Sequence, residues 1–187
     1  MTGSYALLYV LAPLMPNLLA QLSLPVTLAT PVASILDATR VITFGALGAI
    51  AGWHGRRAPM WLTMLALPAG FLLVLLGHSL PLLILGEVIF GVAAGFAYTS
   101  SLYYALVAEN ASVDAGGAHE GLIGIGIGLG PLSGLAGQLL VDQPLPFAAA
   151  SARLEPFMAL ALTSLPIIGV CVLGALRSLV RLPGRPA

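Results

Sequence analysis

The sequence predicts an all-α fold that threads a lipid bilayer several times, on three observations. Of its 187 residues, 59% are hydrophobic and only 7% charged, whereas soluble domains carry about 25% charged residues. Mean hydropathy is +1.03, more apolar surface than a soluble fold of this length could hide. The apolar residues also fall into runs of the roughly 20 residues that a helix needs to cross a hydrocarbon core. The lipid bilayer is thus the first expected partner. Formal net charge is zero, which argues against nucleic acid. The single Cys171 offers no disulfide framework, and no ligand spacing joins the three histidines, so no metal and no cofactor is expected.

Six spans follow in order, at about 4–22, 30–52, 58–78, 80–107, 118–141 and 156–178, forming one six-helix membrane domain over 1–187. Pro13 and Pro16 interrupt the first, so a kink or an early end is expected there. This span starts almost at Met1, without a basic stretch that would mark a cleaved signal, and a chain cut from a longer one is expected. The arginines are uneven. Arg56 and Arg57 lie between the second and third spans, and Arg177, Arg181 and Arg185 in the 177–187 tail, against Arg153 alone in the 142–155 loop. By the positive-inside rule both termini, the 53–57 turn and the 108–117 loop are cytoplasmic, and the arginine-rich tail is a solvated anchor facing anionic headgroups.

The most informative span is the fifth. Gly121–Val141 carries no charge and is punctuated by glycines, each of which costs up to about 1 kcal/mol relative to Ala in a soluble helix. In a bilayer glycines instead let backbones approach closely. Gly126, Gly130, Ser133 and Gly137 recur at spacings of four, three and four, on one stripe. The stripe is read either as an ordinary small-residue interface or as a seam against a helix that moves.

In the fourth span, Glu87, Gly91, Ala94, Tyr98, Ser101 and Ala105 share a face. Tyr98 and Ser101 either line a substrate path or hydrogen-bond helix to helix, contacts typically worth about 0.6 kcal/mol. Glu87 is expected near the outer end, as a solvated carboxylate. Asp37 and Arg40 stand three apart in the second span, and charges at that depth cost roughly 2.5–3.5 kcal/mol each on insertion scales, so they face a cavity or each other. Either Asp37 takes up a proton or cation with Arg40 tuning it or holding an anionic substrate, or the two form a mutually neutralising pair. His119 and Glu120 are expected to open the fifth helix, with Glu120 favourably placed in its first turn.

Two motifs carry a family resemblance. Gly48-Ala-Ile-Ala-Gly52-Trp-His-Gly55-Arg56-Arg57 resembles the G-x-L-A-D-R-x-G-R-R loop of the major facilitator superfamily, at the place where that family has it. Gly48, Ala51, Gly55, Arg56 and Arg57 match, while Gly52 replaces the acid and Trp53 the first arginine. Gly126-x-x-x-Gly130-Pro131-x-x-Gly134 is similar to the G-x-x-x-G-P-x-x-G-G pattern of the fifth helix of a half, with Leu135 replacing the last glycine. Tyr98–Tyr104 and His119-Glu120 look like second halves of some bacterial members. The resemblance implies the C-terminal six-helix half of a secondary transporter in the inner membrane, moving a small solute, with or without a coupling proton or cation, together with a second half or a homodimer mate. It implies no enzymatic activity. A rhomboid-type protease would need a His on a late helix, and the sixth span has none. The alternatives are a stand-alone substrate-binding subunit of an ABC-type importer and an inactive truncated half-transporter. Three-repeat mitochondrial-type carriers are echoed only by Asp37-x-x-Arg40.

Overall fold

The structure, a computed structural model, describes residues 1–108, 112–141 and 156–180, the side chains of 108 and 178–180 excepted. The 142–155 loop with Arg153, and Arg181 and Arg185 of the tail, lie outside the described residues. The described residues form helices joined by short turns, with no strand among them. Five stretches are long and apolar enough to cross a membrane, and a bent pair makes a sixth when taken as one span.

The first stretch is α1 (Thr2–Leu11) and α2 (Met15–Gln21), joined by a 3-10 turn at Ala12–Leu14. Pro13 and Pro16 lack the N–H that an α-helix spends on the residue four back, so the chain tightens at the position expected. The second is α3 (Val26–Ala33) and α4 (Ile35–Ala49), meeting at Ser34, whose hydroxyl donates to the Thr30 carbonyl at 2.9 Å. It begins four residues before the expected start, which sets Asp37 eleven residues from Val26, about 16 Å along the axis. α5 (Ala58–Leu76) and α6 (Leu80–Ala108) follow. α7 runs Val113–Val141, five residues longer at its start than hydropathy suggests. The reason is local: Ser112 accepts the Ala115 N–H at 3.2 Å, an N-cap that starts the helix ahead of its apolar run. α8 (Pro156–Thr163) and α9 (Leu165–Val180) bend by 47° at Ser164, where Pro166 cannot continue the ladder.

Glycines choose which helices touch. A Cβ on Gly70 would lie 2.6 Å from the Phe90 nitrogen, and one on Gly86 would lie 2.7 Å from the Val74 nitrogen, so α5 and α6 pack antiparallel with backbones nearly in contact. Gly91 meets Leu36 and Thr39, and Gly95 meets Arg40 and Thr43. The contacts advance together, so α4 and α6 run parallel. Gly126 meets Thr2 and Tyr5, Gly130 meets Ala6 and Tyr9, and α1 and α7 likewise run parallel. Thr2 donates to the Leu122 carbonyl at 3.1 Å along the same seam. α9 closes on α5, and α8 on α7 through Gly137 and Leu160. Leu7, Leu11, Phe71, Val74, Leu83 and Phe90 fill the centre. The second stretch stands apart: only 6% of its apolar window is buried, and α6 is its main support.

Candidate functional site

The inward side of α6 carries the polar groups of the bundle. Tyr98, Ser101 and Ala105 are half-buried, and Glu87, Gly91 and Ala94 are buried, so the stripe legible in the sequence faces other helices. Ser101 Oγ stands 3.1 Å from Nε2 of His119 on α7, and donates to the Tyr98 carbonyl at 2.9 Å. His119 Nδ1 lies 3.4 Å from Glu120. The His119 ring meets the Tyr98 ring edge-on with centroids 5.2 Å apart, and Phe44 of α4 packs on Tyr98 from the other side at 5.1 Å. Three helices, α4, α6 and α7, thus meet around the Tyr98 ring.

His119 and Glu120 do not open their helix. They sit two turns in, with Asp114 in the first turn instead, and His119 is buried. The expected helix-end role is overturned by the earlier start of α7. The partnership of Ser101 with His119 was not legible, because it joins helices whose pairing hydropathy does not encode.

Asp37 and Arg40 form an ion pair, Oδ1 to Nη2 3.0 Å, with the Asp37 side chain 65% exposed and Arg40 24% exposed. Arg40 Nε is buried without a hydrogen-bond partner. Asp37 also edges a cavity of about 420 Å³ between the first and second stretches, with Met15, Leu19, Ser34 and Leu36 on its walls. A second cavity of about 230 Å³ lies among α1, α5, α6 and α9, with Ser4, Thr63, Ser100, Ser101 and Cys171 on its walls. Glu87 overturns its expectation as a solvated carboxylate. It is 0% exposed, because its turn of α6 is enclosed between α5 and α4.

The loop motif is fastened by aromatic rings. Trp53 is buried, donates Nε1–H to the Leu47 carbonyl at 3.2 Å, and meets Phe96, Tyr103 and Tyr104 edge-on at 5.4, 5.2 and 6.2 Å. The His54 ring stacks on Tyr103 at 4.1 Å. Gly55, at φ +70°, donates its N–H to the Tyr104 hydroxyl at 2.9 Å. Only glycine reaches that conformation without strain. Gly48, in the last turn of α4, meets nothing within 4 Å, and Arg56 and Arg57 lead exposed into α5. The Tyr103-Tyr104 doublet was the available signal for this clasp.

The glycine-proline motif divides. Gly126 and Gly130 are packed, while Pro131 is exposed and Gly134 meets nothing within 4 Å. Gly117, Gly121, Gly124 and Gly128 form another stripe at spacings of four, three and four on the opposite face, also open.

Ser101, His119 and Glu120 follow one another at 3.1 and 3.4 Å. Ser101 lies inside α6, where neighbouring N–H groups are spent on helical bonds and none is free for an oxyanion. Among the described residues no group of three or more His, Cys, Asp or Glu could hold a metal ion. No protein-family model matches the chain, and no curated protein or solved structure does either.

Proposed function

We propose that the chain is one half of an alternating-access secondary transporter that carries a small solute across the cytoplasmic membrane. The observation that carries this reading is the Asp37–Arg40 pair. It lies about 16 Å along a spanning stretch, more than half exposed at its acid, on a helix that the rest of the chain hardly covers. Charges at that depth do not face lipid; they face protein partners or a water-filled cavity. A second six-helix half, as a separate chain or a homodimer mate, supplies the missing wall, and Tyr98, Ser101, His119 and Glu120 line the solute path beside the pair.

The helix pairing supports the same reading. The α1–α7 and α4–α6 pairs are both parallel and both seated on glycines four apart, the close backbone approach by which membrane helices pack. The loop and glycine-proline motifs favour the major facilitator superfamily and its C-terminal half. The arginines at 56, 57 and 177 favour cytoplasmic termini and six spans. A self-sufficient binding subunit is the less favoured reading, because the loop and glycine-proline motifs point instead to a half-transporter.

The test is accessibility in native membranes. Asp37→Cys in a Cys171→Ser background is expected to react with a water-soluble maleimide, and Gly124→Cys in the same background to cross-link to a neighbouring polypeptide. A monomer that reacts at neither position, and labels at 37 only with a lipid-soluble reagent, overturns the proposal.

A further inference from the structure

Glu87 is the one side chain among the described residues whose ionisable group is fully buried with both oxygens lacking any hydrogen-bond partner. It stands seven residues into α6, about 10 Å from the start of the helix. The turn around it is closed on two sides. Gly86 presses on Val74 of α5, and Gly91 presses on Leu36 and Thr39 of α4. Leu83 and Phe90, one turn to either side, are fully buried as well. An ionised carboxylate in such a place lacks both water and donors, a cost that buried charges avoid by taking a proton or a partner.

The partners available for it are few. α5 carries no titratable residue over Ala58–Leu76. The first stretch offers only Tyr5 and Tyr9. α7 offers exposed Asp114 in its first turn, and His119 and Glu120, which stand by Ser101, fourteen residues or about 21 Å further along α6. α4 brings Asp37 and Arg40, which are already paired with each other. Asp37 follows Leu36, whose carbonyl is approached by Gly91 one turn along α6 from Glu87. Asp37 in turn stands at the rim of the cavity of about 420 Å³ between the first and second stretches.

We propose that Glu87 is a proton-binding site, loaded and unloaded through Asp37 from that cavity. The two carboxyls are not hydrogen-bonded in this structure, so in the loading step a side-chain turn or a bridging water from the cavity first joins them; the O–H bond of a protonated Asp37 then breaks as an O–H bond forms on a Glu87 oxygen. Asp37 returns to its ion pair with Arg40, and one negative charge passes from the buried site to the cavity rim. Unloading reverses each change, so no other reactant is consumed. The Asp37–Arg40 pair is then the gate to the site, and Glu87 the site itself. The role of this proton as the coupling ion rests on the transporter reading; its binding at Glu87 does not.

Infrared spectroscopy of the full chain in lipid bilayers tests the binding separately from transport. At neutral pH the wild-type chain is expected to show the C=O stretch of a protonated carboxylic acid. Glu87→Gln should lose that band with the helical amide signal unchanged. Asp37→Asn should keep the band but shift it and slow its exchange in heavy water. Glu87→Met, an apolar side chain of similar length, gives the same reading if the amide variant does not fold. A wild-type chain without the band, or a band that persists in both Glu87 variants, overturns the proposal and leaves the transporter reading standing. Exchange as fast in Asp37→Asn as in wild type overturns the route through Asp37. Loss of solute movement in a chain that still shows the band counts against the transporter reading alone.

Discussion

At the scale of single residues, two glycines two positions apart on α7, on opposite faces, have opposite duties. A Cβ on Gly130 would meet the Tyr9 Cβ at 2.6 Å and the Ala6 carbonyl at 2.8 Å, whereas one on Gly128 meets nothing. Gly130→Ala is therefore expected to destabilise the chain by about 1–3 kcal/mol, the usual cost of overpacking. Gly128→Ala should be neutral or better, because the helix gains propensity without a clash. Denaturant unfolding in detergent micelles compares the two, and equal effects would remove the distinction between the faces. Gly130→Leu goes further and should abolish folding or gating. Trp53 is the other residue with a measurable share. Trp53→Ala empties a buried aromatic site, for which about 3–5 kcal/mol is typical, while Trp53→Phe keeps most of the ring contacts. The sequence shows Trp53 only as a departure from a charged motif. Its surroundings come from Phe96, Tyr103 and Tyr104, which lie more than forty residues away along the chain.

At the scale of elements, hydropathy located five spanning stretches among the described residues, and a sixth if the bent pair is one span, and misjudged where some begin. It starts α7 at 118, past Asp114, Gly116 and Gly117, although helix ends are set by backbone partners rather than by polarity. The Ser112 cap was present in the sequence, and it marks the start within one residue. Ser112→Ala should cost about 1 kcal/mol, read as fraying of the first turn by hydrogen exchange, with the apolar part of α7 unaffected. Unchanged exchange there would mean that tertiary contacts alone hold the turn. Glu87 was misplaced for a related reason. Distance from a helix end was taken as exposure, but exposure depends on which helices cover that turn. The polar stripe on α6 was legible because periodicity records a face. The identity of the helix that meets the face was not, since Gly91 and Gly95 look alike whether they meet α4 or any other helix.

At the scale of the whole molecule, the uncovered side of the second stretch is where the proposed transporter reading can be tested. If a second half closes over Asp37 and Arg40, then Asp37→Asn in the intact carrier should lower transport and flatten its pH dependence. Transport unchanged in both rate and pH profile removes Asp37 from the coupling path. The coding sequence directly upstream offers an independent check, because a frame for six more helices there would favour a half of a twelve-helix carrier over a homodimer mate.

The parallel pairing of α1 with α7 and of α4 with α6 also bears on how the protein is made. Tyr5 waits for Gly126, about 120 residues later in the chain, and at roughly 5–20 residues per second of synthesis that delay is about 6–24 s. The second stretch, with its charged pair, waits likewise for α6. Neither early helix has its main neighbour when it leaves the ribosome, so the insertion machinery must shelter both until the later glycines arrive.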